Sequence, residues 1–390
     1  MDFELSTEHQ AIREAVVDLC RRFPESYWLA RDADGAFPED FYRAMGQAGW
    51  LGTAIPEAYG GAGLGVQEAA ILMQTIAETG ACLSGCSSIH INIFGLMPVA
   101  VFGTEEQKRR MLPPIASGEL KTCFGVTEPN TGLNTTQLKT RAERRGDKYV
   151  VHGQKVWIST AQVADKIMLL ARTTPLEDLA PGQHSQGLTL FYTDLDRRRI
   201  DVKLIEKMGR KCVDSNELFI DGLEIPVADR IGEEGKGFKY ILHGMNPERV
   251  LLAAEAIGVG RAALDKAAGY AREREVFGRP IGKNQAIQHP LARNWIELEA
   301  AQLLMQKAAW LYDQGRDCGA EANAAKYFAA EAGFRACERA ILTHGGMGYA
   351  KEFHVERYLR EIMIPRIAPV SQELILSHIA ERVLGMPKSY

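Results

Sequence analysis

The chain has 390 residues, of which 46% are apolar and 25% charged, with a formal net charge of -4; this is the balance of a globular protein with room for two or three cores. Lysine and arginine are scattered, the densest run being Arg197-Arg198-Arg199, which argues against nucleic acid as the main partner. No uninterrupted apolar run reaches bilayer length, and the acidic start Met1-Asp2-Phe3-Glu4-Leu5 fits neither a secretory signal nor a transit peptide, so no membrane span and a cytoplasmic location are expected.

From Thr7 to about Lys121 the signals are helical. Ile12, Val16, Leu19 and Phe23 recur at the spacing of an amphipathic helix. A glycine-rich loop from Tyr59 to Gly65 precedes a long apolar segment, Ala69 to Phe102, which holds the small-residue run Ser84-Gly85-Cys86-Ser87-Ser88. That run reads either as close helix packing or as a cavity widened for a long or branched ligand. Gly103-Thr104-Glu105-Glu106-Gln107 predicts a loop and a capped helix start. From Thr122 to about Ile231 the period drops to two. Strands are predicted at Lys139–Arg144, Lys148–Ile158, Lys166–Arg172, Gly187–Thr193, Val202–Glu206 and Asn216–Asp221, with Arg145-Gly146-Asp147 as a hairpin turn. Short strands separated by turn residues predict a small antiparallel β-barrel or sandwich. From Gly235 onward, stripes through Phe238, Leu242, Met245, Leu252 and Ala256, through Ile287, Leu291, Trp295 and Leu298, and along Ala324–Leu342 predict an antiparallel helix bundle. The expected architecture is α+β and multidomain: helices over 1–121, a β-barrel over 122–232 and a helical bundle over 233–390.

The motifs narrow the chemistry. Gly232-Glu233-Glu234-Gly235-Lys236-Gly237 lacks the Walker spacing and a βαβ context. His344-Gly345-Gly346-Met347-Gly348-Tyr349 interrupts a helical pattern, and reads equally as an anion-binding nest or a plain helix–helix turn. Seven cysteines without a C-x-x-C pair read as reduced, buried thiols. No His-Glu-x-x-His, Gly-x-Ser-x-Gly or Cys/His cluster is found, so neither a metal site nor a catalytic triad is expected. In Asn246-Pro247-Glu248-Arg249 the apolar stripe runs straight through a proline. This predicts a kink within one helix, beside which Glu248 faces either a pocket or the surface.

Gly125-Val126-Thr127-Glu128-Pro129-Asn130-Thr131-Gly132, followed by Trp157-Ile158-Ser159, resembles the acyl-CoA dehydrogenase family. The likeness continues through Arg272-Glu273-Arg274-Glu275-Val276-Phe277-Gly278, Gln285, Gly345-Gly346-Met347-Gly348 and Val355-Glu356-Arg357-Tyr358-Leu359-Arg360, and spans essentially the whole chain. It implies helical, antiparallel β-barrel and four-helix-bundle domains, bound FAD, an acyl-CoA substrate, an electron-transfer flavoprotein as acceptor, and a homotetramer built as a dimer of dimers. Phe124, Val126, Thr127, Trp157, Ile158 and Ser159 would hold the isoalloxazine, with Ser159 near N5. Arg274, Phe277, Gln285, Gly345 and Gly346 would reach the adenosine and pyrophosphate of a neighbouring subunit's FAD. Ser371 and Glu373 complete the implied cofactor set.

Many members of that family carry the catalytic base near the C-terminus, where this chain has Pro369, a residue without an N–H to offer the thioester oxygen. Isovaleryl-type and long-chain-type members place a glutamate on the first bundle helix beside an arginine, which here is Glu248 followed by Arg249. The resemblance therefore implies Glu248 as the base, with Asn246 and Arg249 holding the CoA portion or orienting the carboxylate. Leu133 stands where a hydroxyl usually meets the CoA arm, and Leu342 where a glutamine often meets the adenine side. The expected reaction is α,β-dehydrogenation of a medium-to-long or branched acyl-CoA. An oxidase or flavin monooxygenase on the same fold, and a binding partner without catalysis, are the alternatives.

Overall fold

A computed structural model describes residues 5–389. Ser6 starts α1 (Thr7–Cys20) by accepting the His9 N–H. Pro24 and Pro38 precede α2 (Glu25–Asp34) and α3 (Glu39–Gln47). The expected apolar segment is not one helix but α4 (Val66–Ile76), a wide turn over Ala77–Ala81, α5 (Cys82–Phe94) and α6 (Met97–Phe102). Gly80 at φ 87° and Cys82 at φ 52° break it. The stretch Val66–Phe102 has the mean hydropathy of a membrane span, 1.5, yet 67% of its most apolar window is buried inside the fold. Thr104 and Gln107 exchange hydrogen bonds in the predicted cap of α7 (Glu105–Met111), and α8 (Pro113–Ala116) closes the helical part.

The middle region contains β1 (Thr122–Gly125), β2 (Arg141–Arg145), β3 (Lys148–Ser159), β4 (Lys166–Arg172), β5 (Leu188–Asp194), β6 (Ile200–Leu204), β7 (Ser215–Pro226) and β8 (Arg230–Ile231). Their order is β6-β7-β3-β2-β4-β5-β8, with β1 also on β4. Two features differ from the expected antiparallel barrel. β1 and β2 both pair with β4 in parallel, because β1 enters straight from the helical region, where Asp165 holds the Lys121 N–H at 2.8 Å. The pairing path also stays open: β6 and β8 do not meet, and the sheet coils over a core that includes Tyr149, Ile158, Phe191 and Leu218.

The last part comprises α9 (Gly237–His243), α10 (Met245–Glu273), a hairpin of β9 (Glu275–Val276) and β10 (Arg279–Pro280), α11 (Gln285–Asp313), α12 (Gly319–His344), α13 (Val355–Glu361), α14 (Ile364–Ile367) and α15 (Gln372–Arg382). The expected kink at Pro247 is instead a full break at Gly244. Pro247 then falls in the first turn of α10, where a missing N–H costs no helical hydrogen bond. Three long helices, α10, α11 and α12, dominate the bundle, and the shorter α15 packs on α12. α10 and α12 run side by side in the same direction. A Cβ on Gly260 would lie 3.0 Å from the Gly333 Cα, and Tyr270 stacks on His344 with ring centroids 4.3 Å apart. α4 packs on the other side of α10 at Gly258, where a Cβ would meet the Gln74 carbonyl at 2.5 Å. The N-terminal and C-terminal helices thus share one hydrophobic core.

Candidate active site

The residues singled out from sequence gather at two ends of α10. Its 29 residues make a rod roughly 40 Å long, with Glu248 in its first turn and Arg274 just past its last.

At the N-terminal end, Glu248 is partly buried, and loss of solvation lifts its carboxyl to about 7 against the pull of His90, Arg249 and Lys326, while Glu255 adds to the rise. Arg249 donates to Asn246 Oδ1 at 3.0 Å and to the Met245 carbonyl at 3.3 Å, leaving its buried Nε without a partner. Lys326, fully buried, donates to the Val370 carbonyl at 2.7 Å, and burial brings its ammonium down to about 8. His90 from α5 meets Glu255 from α10 at 2.5 Å, and Glu255 Oε2 has no partner. Arg210 reaches Ser87 Oγ at 2.9 Å and Ser159 Oγ at 3.4 Å, with its Nε also unpartnered.

Ser159 belongs to the second segment of the implied flavin site, and the structure joins both segments. The Val156 N–H donates to the Thr127 carbonyl at 2.9 Å. Lys155, fully buried, bonds to the Val126 carbonyl at 2.9 Å and Glu128 Oε1 at 3.0 Å. Glu128 also accepts the N–H groups of Lys139 and Thr140 at 2.7 and 2.8 Å. Burial opposes its charge, but Lys155 and these donors hold the carboxyl below its ordinary value. An irregularity in the β3–β7 register between Lys155 and Ile158 turns the strand there, as bulges beside sites do. Trp157 takes φ 61° and stands 59% exposed. Ile158 faces the other way, 2% exposed in the sheet core, and its carbonyl accepts from Asn216 Nδ2 at 2.9 Å. Phe124 packs against Phe94 at 5.9 Å.

At the other end of α10 the residues are open. Arg274 is exposed, and its guanidinium has no partner among the described residues. Phe277, at the tip of the β9–β10 hairpin, takes φ 54° and is fully exposed. Gln285 is exposed at the start of α11. Gly345 and Gly346 end α12, and a Cβ on either would meet nothing within 4 Å. The Tyr270–His344 stack places this turn at the Arg274 end. One chain therefore does not bring Arg274, Phe277, Gln285, Gly345 or Gly346 to Glu248 or Ser159.

Other expected residues take different roles. Ser371 caps α15 by accepting the Leu374 N–H at 3.3 Å. Glu373 is exposed in that helix's first turn, where backbone N–H groups and Ser371 hold its carboxyl low. Leu133 is exposed in the loop after β1. The small-residue run serves packing, not a cavity. Ser84 donates its N–H and hydroxyl to Glu361 at 2.8 and 2.7 Å, and a Cβ on Gly85 would meet Ala81, Ile76 and Trp28 within 3.4 Å.

An exposed tryptophan and a hydroxyl beside an unsatisfied guanidinium, with a bare arginine and an open glycine turn elsewhere, match the ring and pyrophosphate of FAD in chemistry. His90, Glu255, Arg210 and Lys326 were not among the sequence candidates. For three of them the signal is a lone charge within an apolar run, as in Ile89-His90-Ile91, Ala254-Glu255-Ala256 and Ala325-Lys326, whereas Arg210 lies beside Lys211 and carries no such mark.

Comparison with known proteins gives the family. The N-terminal, middle and C-terminal domains of acyl-CoA dehydrogenases match residues 6–119, 123–223 and 235–384. Acyl-CoA dehydrogenase FadE12 of Mycobacterium tuberculosis is 36% identical over 390 residues, covering 99% of this chain and 98% of that protein. The chain belongs to the acyl-CoA dehydrogenase family. It is an oxidoreductase acting on a CH–CH group, in a family that uses FAD. A glutaryl-CoA dehydrogenase solved with glutaryl-CoA superposes with a TM-score of 0.93 at 32% identity, covering 100% of this chain and 98% of that one. The prolyl acyl carrier protein oxidase AnaB superposes at 0.92 with 29% identity, covering 98% of this acyl-CoA dehydrogenase and 100% of the oxidase.

Proposed function

We propose that this acyl-CoA dehydrogenase oxidises a medium-to-long or branched acyl-CoA to the 2-enoyl-CoA, with Glu248 as base and an electron-transfer flavoprotein as acceptor. The observation that carries the reading is Glu248 itself, a carboxyl lifted to about 7 in the region where α5, α10 and the Ser159 segment converge. A base works best when its proton affinity lies near the working pH. Its carboxylate takes the α-proton, and the electron pair of that C–H bond becomes the second Cα–Cβ bond as the β-hydrogen leaves with its own pair. Bound FAD supplies the acceptor for that hydride. Trp157, Ser159 and the Val126–Thr127 backbone would hold its ring. Arg249, steadied by Asn246, would hold the CoA arm. The open set at Arg274, Phe277 and Gly345 supports binding to a second subunit's FAD, and hence the homotetramer. The chain-length preference rests on the placement of Glu248 alone, since Ser84 and Gly85 pack against neighbours.

The test is Glu248→Gln. The variant folds and keeps its yellow FAD but loses 10²–10⁴-fold of the flavin bleaching by acyl-CoA, about the worth of a general base. In the wild type, kcat/KM rises with pH through about 7, as Glu248 must be ionised to accept a proton. Near-normal bleaching by Glu248→Gln would overturn the assignment. The likeness to AnaB favours an oxygen-using acceptor as the second reading; rapid reoxidation of substrate-reduced enzyme in air selects it, and slow reoxidation selects the flavoprotein.

A further inference from the structure

We propose that His90 and Glu255 are a positioning pair for Glu248, a buried imidazolium–carboxylate unit that sets how readily the base holds its proton. The proposal rests on Glu248 being the base. Glu248 and Glu255 are seven residues apart on α10, two turns along one face. His90 comes in from α5: its Nδ1 lies 2.5 Å from Glu255 Oε1, and its charge and that of Glu248 act on each other. The pair is deeply buried, His90 being 9% exposed and Glu255 1%.

The charges around the base come from three helices. His90 projects from α5, Arg249 and Glu255 lie on α10 itself, and Lys326 comes from α12. His90 in turn is faced by Glu255 and Glu248 from α10 and by Arg210 from the β6–β7 connection. Arg249 is engaged by Asn246 and the Met245 carbonyl, and Lys326 by the Val370 carbonyl. His90 is the cation bound to a carboxylate on the same face as the base. A neutral imidazole would leave two carboxylates on one buried face, and like charges there drive protons on. Glu248 would then enter the reaction already protonated. Burial works against the imidazolium, but the Glu255 carboxylate and its hydrogen bond carry His90 above its ordinary value. A charged His90 therefore keeps Glu248 available, and it acts on Glu248 more strongly than the opposing Glu255 does.

The pH profile of kcat/KM tests this, because it reports the free enzyme's base. His90→Gln removes the cation, and the acidic limb moves up by about one pH unit or more. His90→Lys restores a cation and brings the limb back toward the wild-type position. The double variant His90→Gln, Glu255→Gln keeps a hydrogen-bonded pair without charge, and its limb rises less than that of His90→Gln. FAD content and melting temperature are measured for each. If His90→Gln fails to fold, the double variant decides alone: a raised limb supports the pair and an unmoved one overturns it. Unmoved limbs in folded variants mean that His90 and Glu255 only pack. An active Glu248→Gln sinks the base assignment instead, so the two failures are distinguishable.

Discussion

The two ends of α10 are built on opposite plans. Around Glu248, charged side chains are buried and mostly matched: His90 with Glu255, Lys326 with Val370, Arg249 with Asn246. Around Arg274, the arginine, the Phe277 ring and the Gly345–Gly346 turn all face outward with nothing to hold. Buried polar groups are costly unless satisfied, so one chain must finish the first end itself. The exposed end bears no such cost and is free to wait for something from outside. The same helix thus carries one end whose buried charges are mostly paired within the chain and one end that lies open to solvent.

Three substitutions, ordered by their expected effect on stability, sharpen that contrast. Lys155→Met strips a fully buried cation from Glu128 and leaves its carboxylate with only the Lys139 and Thr140 N–H groups. Removing one member of a buried pair destabilises by about 3–5 kcal/mol, which a denaturant titration will show together with loss of FAD. A change under about 1 kcal/mol, the range of exposed ion pairs, would mean that the interior end is not held by its charges. Gly85→Leu pushes against Ala81, Ile76 and Trp28. Overpacking of this kind costs about 1–3 kcal/mol, and a panel of acyl-CoAs should show the same chain-length profile as the wild type. A shortened profile would restore the cavity reading of the small-residue run. Arg274→Ala changes the melting temperature of the FAD-free protein hardly at all, within about 0.5 kcal/mol. It lowers FAD retention and loosens the oligomer together, as gel filtration with absorbance at the flavin band will report. Full FAD retention in an unaltered oligomer would break the comparison at its exposed end.

Much of the fold was legible in the sequence, for local reasons. The short apolar run in Lys166–Arg172 marked β4 residue for residue, and Thr104 with Gln107 marked the cap of α7. What was hidden is non-local. Strand period carries no information on which strands pair, so the parallel β1–β4 and β2–β4 contacts and the open path were missed. Pro247 drew attention as a helix breaker, although the break falls three residues earlier at Gly244 and spares it. The site divides in the same way. Glu248 was singled out by the Asn246-Pro247-Glu248-Arg249 motif and given its expected role, like the Trp157–Ser159 segment, by family likeness, whereas His90 and Glu255, 165 residues apart, each look like an isolated polar residue until the helices meet.

The close seam between α10 and α12 has a consequence for how the two helices are registered at both ends. A Cβ on Gly333 would meet the Ala256 carbonyl at 2.6 Å, and one on Gly260 the Gly333 Cα at 3.0 Å. These glycines therefore fix the phase of one rod against the other. A slip of one turn, about 5.4 Å, would carry Lys326 away from the Glu248 end and His344 off Tyr270 in the same stroke. The seam works as a vernier: glycines with no chemistry of their own set which α12 side chains stand opposite which α10 side chains at both ends at once.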